Sequence, residues 1–317
     1  MESIIITISI FLFIFNSFGI NVSAPSFIPK VIAGESAQFE YQLVPAKREV
    51  FPYRVKGTPL FNALEITAES AIVIDENTGR VLFEKDSYDK KSIASLTKLM
   101  TALVWWEVDG DLNKIVEIKP QDYREGGIAY FISGEKVHAK DLLHAGLIAS
   151  SNSAMAALVR STGITTEEFV NLMNEYADKL GMKNTRFKEP TGLDFKNIST
   201  VTDLFILARA AFKNPIISNT TQLREYKFQP LNKTAWRTMR NTNWLLTDSL
   251  NNGNYNILGG KTGYIDESGY NLIIEVHNEA RNQNLIVAVL GSVDKSTRFT
   301  EAKELIEWTY ENHIWEI

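Results

Sequence analysis

Apolar and polar positions divide this chain into strand-like ends and a helical middle. Near residue 70, "AIVIDENTGRVLFEK" contains two β-rich runs around Asn77-Thr78-Gly79, which predicts a hairpin. Near the C terminus, "YNLIIEVHN" and "NLIVAVLGSV" predict two more strands joined by a polar turn. Strands at both ends of a helical middle favour an α/β or α+β sandwich, in which the terminal strands share one antiparallel sheet covered by helices.

The middle of the chain repeats its apolar residues at helical spacing. The run that includes Leu96, Leu99 and Leu103 predicts a helix over 95–108 with one buried face. "AKDLLHAGLIA" and "NSAMAALVRSTG" predict two further apolar helices, with Ser150-Ser151 at their junction. Helices are also predicted over 165–181, over 201–213 and from about Ser296 to Asn312.

The first residues have the composition of an export signal. Residues 4–15, "IIITISIFLFIF", form an apolar run of signal-peptide length, and Val22-Ser23-Ala24 is typical of a cleavage site. The start "MES" carries no positive charge, and the run can be continued to Ile20, so an uncleaved membrane anchor is the alternative. We expect 1–24 to be a signal peptide or anchor, 25–66 a spacer or N-terminal extension, and 67–317 the main domain, outside the cytoplasm.

Composition narrows the function classes. A chain of 317 residues with 44% hydrophobic and 22% charged residues can bury a sizeable core. The net charge of -5, without a basic block, argues against nucleic acid as a partner. The absence of cysteine excludes disulfides, thiolate catalysis and Cys-ligated zinc. The four histidines have no metal-binding spacing, so we predict no metal and no cofactor.

One serine–lysine pair stands in a setting that can support catalysis. Ser-x-x-Lys occurs four times, at Ser87/Lys90, Ser95/Lys98, Ser133/Lys136 and Ser292/Lys295. Only Ser95/Lys98 begins a strongly apolar helix, where the two side chains share a face and the lysine can be desolvated. A lysine accepts a proton from a serine hydroxyl only when its pKa is lowered, and the bland alternative is a helix cap beside a solvated lysine.

Two further segments complete an ordered set. Ser150-Ser151-Asn152 lies between two predicted helices, and Lys261-Thr262-Gly263 precedes a strand-like run. The order S-x-x-K, S-x-N, K-T-G resembles the motif series of penicillin-binding proteins and class A β-lactamases.

The resemblance extends well beyond these motifs. From about Glu69 to His313 the chain resembles the low-molecular-mass penicillin-binding proteins, the serine-type D-alanyl-D-alanine carboxypeptidases. Matching segments include "ASLTKLMTALV", "DLLHAGLIASSNSAMAAL", "MKNTRFKEPTGLD" and "GGKTGYIDESGYNLI", in order. The resemblance implies a β-lactamase/transpeptidase-like fold, with a five-stranded antiparallel sheet flanked by helices and a mostly helical subdomain. Residues 67–317 would be its catalytic domain.

The resemblance also implies roles for the serine and asparagine side chains. Ser95 would be the nucleophile that attacks the carbonyl of the penultimate D-Ala, and Lys98 would accept its proton. Ser150 would relay the proton to the leaving amine. Asn152 would hold the peptide amide of the substrate and help to position Lys98.

The substrate-binding residues follow in the same way. Lys261 and Thr262 would bind the terminal carboxylate, and the charge of Lys261 would help to keep Lys98 neutral. Gly263 would allow close approach, and the backbone N–H groups of Ser95 and Tyr264 would form an oxyanion hole. The implied partners are a peptidoglycan stem peptide ending in D-Ala-D-Ala and β-lactams as covalent inhibitors, at an extracytoplasmic location.

Three positions depart from the family pattern. Ser151 and Ser153 stand where Gly and Asp are usual, and Glu189 in "EPTGLD" replaces the usual Asn. Class A β-lactamases use a loop Glu before Pro as a deacylating base, together with an Asn four residues later, where this chain has Leu193. We therefore expect Glu189 to be a loop carboxylate, with a deacylating base as the alternative.

Other function classes fit the sequence less well. "GGKTG" resembles the end of a P-loop, but Tyr255 stands where its first glycine is needed, and a strand rather than a helix follows. The chemistry leaves three alternatives open: a class A-like β-lactamase, a D,D-endopeptidase, and a non-catalytic protein that binds cell-wall peptides or β-lactams.

Overall fold

The computed structural model describes most of the chain in two units. The described residues are 29–30, 40–41, 51–55, 66–248, 250–251 and 253–315. In the first unit, β1 (Pro29–Lys30) pairs antiparallel with β2 (Glu40–Tyr41). The second unit begins at Phe51. The predicted signal or anchor segment, 1–24, lies outside the described residues. Within the described ranges, no helix has the length and apolar character needed to span a bilayer.

The second unit contains the remaining described strands and helices. Its strands are β3 (Pro52–Arg54), β4 (Ser70–Asp75), β5 (Val81–Lys85), β6 (Lys91–Ser92), β7 (Ile115–Glu117), β8 (Lys136–His138), β9 (Ile198–Ser199), β10 (Glu225–Phe228), β11 (Arg237–Arg240), β12 (Tyr255–Ile265), β13 (Gly269–Asn278), β14 (Gln283–Ser292) and β15 (His313–Trp315). Its α-helices are α1 (Thr97–Val108), α2 (Ala139–Ile148), α3 (Asn152–Ser161), α4 (Thr166–Leu180), α5 (Val201–Lys213), α6 (Pro215–Gln222) and α7 (Thr297–Asn312).

A five-stranded antiparallel sheet forms the centre of this unit. Its order is β12-β13-β14-β4-β5, so the C-terminal strands pair directly with the N-terminal hairpin, as predicted. Side chains alternate between the two faces of a strand. Ala71 and Val73 pack with α7 on one face, and Ile72 and Ile74 pack with the other helices on the opposite face. Two apolar layers therefore enclose the sheet.

Helix α1 is buried on all sides over its first nine residues, Thr97 to Trp105. The sequence pattern predicted a single buried face, which is wrong for this stretch. The reason is that α2, α3, α4, α5 and α6 all contact α1. A polar residue in its first turn is therefore enclosed by protein.

Helices α4 and α5 follow the local capping rules. Thr165 forms a capping box with Glu168 before α4, and Gly181, with a positive φ of 85°, ends that helix. The side chain of Thr200 accepts a hydrogen bond from the backbone N–H of Asp203 before α5. The predicted helices over 165–181 and 201–213 are confirmed.

Strand β12 and helix α6 were not predicted. Lys261-Thr262-Gly263 lies inside β12, whereas the sequence pattern placed it before a strand. The glycines of β12 weaken its strand signal in the sequence, because glycine is depleted in strands. They are required here because a Cβ at Gly259 would overlap the Phe212 ring, and a Cβ at Gly260 would overlap Asn243.

The crossing of α2 and α3 offers a test of packing next to the site. A Cβ at Gly146 would overlap the side chain of Met155. We expect Gly146→Ala to destabilise the protein, because overpacking costs about 1–3 kcal/mol and the gain in helix propensity is only about 1 kcal/mol. In a Met155→Ala background the same change should be neutral or stabilising. Urea unfolding of the two single variants and the double variant measures this coupling. Equal effects in both backgrounds would contradict the proposed contact.

Candidate active site

Ser95 lies in a tightly confined turn at the start of α1. It belongs to the short 3-10 helix Ala94–Leu96, and Ala94 has a φ of 45°, which is unfavourable for a residue with a Cβ. A Cβ at Gly192 would overlap the Ala94 carbonyl and the Ser95 nitrogen, and one at Gly263 would crowd the carbonyl of Ile93. The turn is therefore clamped between a loop and strand β12, with Ser95 half-buried and facing a cleft.

Lys98 lies one turn further along α1 and is fully buried. Its Nζ is 2.6 Å from Ser95 Oγ, 2.7 Å from Asn152 Oδ1 and 2.5 Å from the Thr191 carbonyl oxygen. Burial lowers the pKa of Lys98 to about 7, while the charge of Glu189 acts in the opposite direction. In its neutral form the amine can donate to Asn152 and Thr191 and accept the hydroxyl proton of Ser95.

The junction between α2 and α3 places two polar side chains at the cleft. Ser150 adopts a positive φ of 59°, and the side chain of Ser151 caps α3 by accepting from the Ala154 N–H. Asn152 receives a hydrogen bond from Lys98 and donates through Nδ2 to the Glu125 carbonyl at 2.8 Å. Its side chain is thus fixed at both ends.

Lys261 brings a second buried amine to the same junction. Its Nζ donates to Ser150 Oγ and to the Thr262 carbonyl, both at 2.9 Å. Burial lowers the pKa of Lys261 well below its ordinary value, and the charges of Lys98 and Arg298 lower it further. Because both amines are cations when protonated, the charge of each one disfavours the charged form of the other. Ser150 is thus hydrogen-bonded to Lys261 in this structure.

Strand β12 supplies the remaining predicted residues. The hydroxyl groups of Thr262 and Thr242 lie 2.6 Å apart. The Tyr264 ring is 45% exposed, stacks on Tyr270 with centroids 4.2 Å apart, and donates its hydroxyl proton to Asp266 at 2.6 Å. The rings form an aromatic wall beside the strand.

Sequence reasoning missed Arg298. This residue extends from the first turn of α7, is 4% exposed, and lines the cleft. One guanidinium nitrogen, Nη1, donates to the Gly263 and Asn271 carbonyls at 2.9 and 3.2 Å, while Nε has no hydrogen-bond partner among the described residues. Burial lowers the pKa of Arg298 to about 10. Its polar surroundings in "DKSTRFTEAK" gave no sign of burial.

These groups surround one cleft of about 630 Å³. The predicted residues on its wall are Ser95, Ser150, Asn152, Thr262, Gly263 and Tyr264. Lys98 and Lys261 lie behind this wall and contact it through Ser95 and Ser150. The structure therefore brings all eight predicted site residues together, although they come from three separate segments of the chain.

The cleft continues past Thr262 to a charged and aromatic end. Trp244 lines this end, stacks on Phe299 and lies 4.8 Å from the Lys295 ammonium, measured to the ring centroid. Asp266 and Glu267 also line it. Both signs of charge and an exposed aromatic face are thus available at this end.

The three departures from the family pattern have structural partners. Ser151 caps α3, and Ser153 Oγ accepts from the Arg124 N–H at 3.0 Å. The Glu189 carboxylate is hydrogen-bonded to its own loop, including the N–H groups of Thr191 and Leu193. These contacts favour a loop carboxylate. In the described part of the chain, no group of three His, Asp or Glu side chains could hold a metal ion.

Comparison with known proteins agrees with this geometry. The family described as D-alanyl-D-alanine carboxypeptidase matches the chain over residues 57–294. A D-alanyl-D-alanine endopeptidase of Pseudomonas aeruginosa is 36% identical over 256 residues, covering 80% of this chain and 79% of the relative. An Escherichia coli protein of the same name is 32% identical and covers 77% of each chain. The Streptomyces K15 DD-transpeptidase structure superposes with a TM-score of 0.72 at 26% identity, covering 78% of this chain and 98% of that one.

The lowered pKa of Lys98 predicts a pH-dependent stability. A group with a folded-state pKa below its ordinary value binds fewer protons when folded, so stability falls as the pH drops from 10.5 towards 7. We expect Lys98→Met to be more stable than the wild type by an amount that grows as the pH falls from 10 to 7, on the order of 1.4 kcal/mol per pH unit. Urea unfolding at pH 7, 8, 9 and 10 measures the difference.

The same substitution at Lys91, Lys91→Met, serves as the control. The pKa of Lys91 is raised by the hydrogen bond to Glu69, so its contribution should be constant between pH 7 and about 9.5. A stability difference for Lys98→Met that does not change with pH would contradict a lysine of lowered pKa.

Proposed function

The chain belongs to the D-alanyl-D-alanine carboxypeptidase family, and we propose that it removes the terminal D-Ala from peptidoglycan stem peptides through an acyl-enzyme on Ser95. One observation carries this proposal. A fully buried lysine with a pKa of about 7 lies 2.6 Å from a serine hydroxyl that faces a large cleft. This pair meets the requirement of nucleophilic catalysis, a weak nucleophile beside a base that is partly neutral at physiological pH.

Acylation follows from the contacts of the two residues. Neutral Lys98 accepts the Ser95 proton while Oγ attacks the carbonyl carbon of the penultimate D-Ala. The backbone N–H groups of Ser95 and Tyr264 hold the negative oxygen that develops, and such donors contribute about 3–4 kcal/mol each. The C–N bond then breaks as Ser150, which is hydrogen-bonded to Lys261, gives its hydroxyl proton to the departing amine and receives in its place the proton that Lys98 took from Ser95. Water releases the acyl group by the reverse sequence of proton transfers.

Three cationic or hydroxyl groups form the proposed site for the terminal carboxylate. Thr262 and Arg298 line the same cleft, and Lys261 lies behind its wall and donates to the Thr262 carbonyl. A bound carboxylate favours the charged form of a nearby amine, so substrate would raise the lowered pKa of Lys261. Arg298, which lines the cleft, adds a further positive charge beside this anion. Binding of the carboxylate would thus restore the positive charge of Lys261, which is unfavourable in this buried position without an anion.

The proposed substrate places the enzyme outside the cytoplasm. Residues 4–15 have signal or anchor character, which agrees with that location. β-Lactams are proposed as covalent inhibitors because they would acylate Ser95 in the same cleft. Retention by an N-terminal membrane anchor remains the alternative to release.

Cleavage of cross-linked peptides is the second candidate function. Both relatives described above are named D-alanyl-D-alanine endopeptidase. In addition, the cleft extends beyond Thr262 to Trp244, Lys295 and Asp266. A leaving group larger than D-Ala, with both an amine and a carboxylate, would find matching charges there.

Loss of the nucleophile tests the principal proposal. We expect Ser95→Ala to lose covalent labelling by a fluorescent penicillin and to release D-Ala from a D-Ala-D-Ala peptide on the order of 10⁶-fold more slowly. Ser133→Ala is the matched control, since Ser133 has the same Ser-x-x-Lys spacing but is exposed. Mass spectrometry of the peptide measures the release. Equal labelling of Ser95→Ala and the wild type would exclude the acyl-enzyme.

Trp244 distinguishes the two activities. We expect Trp244→Ala to lower hydrolysis of a cross-linked peptide dimer about tenfold, because truncation of a contacting aromatic residue commonly costs more than 1 kcal/mol. Release of D-Ala from a monomeric pentapeptide should change less. Trp236→Ala is the control, since Trp236 is 69% exposed and does not line the cleft. Equal losses for dimer and monomer would argue against a leaving-group site at Trp244.

A further inference from the structure

The Glu189 carboxylate collects an unusual number of hydrogen bonds. Its Oε2 accepts from the backbone N–H of Thr191 at 2.7 Å and from the Thr191 hydroxyl at 2.6 Å. Its Oε1 accepts from the backbone N–H groups of Gly192 and Leu193 and from Asn197 Nδ2 at 3.0 Å. A carboxylate has about four lone-pair positions, and all are directed at the protein. Glu189 therefore has no free acceptor with which to activate water.

The same contacts fix the direction of the loop carbonyls. Because the N–H groups of residues 191–193 point towards Glu189, the carbonyls before them are free to point elsewhere. The Thr191 carbonyl accepts from Lys98 Nζ at 2.5 Å, and the Pro190 carbonyl accepts from Thr101 Oγ1 at 2.6 Å. Both acceptor contacts reach helix α1. One carboxylate thus orients a loop whose carbonyl holds the proposed base.

We propose that Glu189 is a positioning residue: it fixes the Thr191 carbonyl against Lys98 and thereby aims the amine at Ser95. This inference rests on the proposed role of Lys98 as the base in acylation. A neutral asparagine, the usual family residue, offers one acceptor oxygen and could not receive all of these donors.

The charge of Glu189 has a consequence for the proton transfer. Glu189 faces Lys98 from the loop, and Lys261 faces it from β12, with Arg298 of α7 behind Lys261. Glu189 favours the charged form of Lys98, as does a fixed carbonyl acceptor. Removing either one lowers the pKa of Lys98. Because only the neutral amine can accept a proton, acylation would then persist to lower pH.

Rates of labelling by a fluorescent penicillin between pH 5 and 9 test this role. In the wild type, acylation should fall as the pH drops through about 7, the pKa of Lys98. In Glu189→Gln and Glu189→Asn we expect the maximal rate of labelling to fall by about tenfold to 100-fold, which is the loss expected when a catalytic group is misplaced. The acid limb of the profile should move to lower pH. Circular dichroism and thermal unfolding confirm that each variant is folded.

Two further variants separate charge from geometry. Glu189→Asp keeps the charge but shortens the reach and releases the Thr191 carbonyl, so its maximal rate should fall and its acid limb should move to lower pH by less than in Glu189→Gln. Glu167→Gln removes an exposed carboxylate from the first turn of α4 and should change neither quantity. If Glu189→Asn or Glu189→Gln does not fold, Glu189→Asp decides the question through its maximal rate and its acid limb together, because loss of packing alone would lower the rate without moving the limb.

The outcomes distinguish this inference from the proposed function. A wild-type profile in Glu189→Gln overturns the positioning role, and so does a lower maximal rate with an unmoved acid limb, since a loss of packing alone would produce it. A wild-type maximal rate in Glu189→Asp has the same meaning. Absence of label on the wild type, or equal label on Ser95→Ala, removes the acyl-enzyme itself.

Discussion

The chemistry of the site depends on keeping the amine of Lys98 away from water. A lysine that is removed from water loses much of its preference for the charged form, and this loss is what allows Lys98 to accept a proton near neutral pH. Such burial is unfavourable unless every polar contact is satisfied. The five helices around α1 exclude water, while Asn152 and the Thr191 carbonyl supply the acceptors. Folding and chemistry are therefore linked at a single side chain.

Two of the four described non-glycine residues with a positive φ lie at the same place. Ala94 and Ser150 both have positive φ values, 45° and 59°, and neither is a glycine. Such conformations persist only when the surroundings enforce them. Gly192 and Gly263 clamp the first turn, and Lys261 holds the hydroxyl of Ser150. The two loops that carry the reacting hydroxyls are thus held in position before any substrate binds.

Much of the fold could be read from the sequence, but the environment of the site could not. The helices over 165–181 and 201–213 have strong caps and clear periodicity, so local signals were sufficient. Strand β12 was missed because it contains glycines, which are required by close contacts with two residues distant in sequence, Phe212 and Asn243. The apolar run after Ser95 indicated that Lys98 can be desolvated, but its complete burial and the burial of Arg298 depend on packing between distant segments. The order of motifs identified Ser95, Lys98, Ser150, Asn152 and Lys261 as a group, whereas their contacts required coordinates.

The first and last described strands of the second unit pair with each other. Strand β3 pairs with β15 through Tyr53 and Ile314, and the Val55 N–H donates to the Asn312 carbonyl at 3.0 Å. Adjacent strands lie about 4.8 Å apart, so Phe51 and Trp315 are near neighbours in space. A short linker could join these points and new termini could be opened in a surface loop, which makes the unit a suitable scaffold for circular permutation.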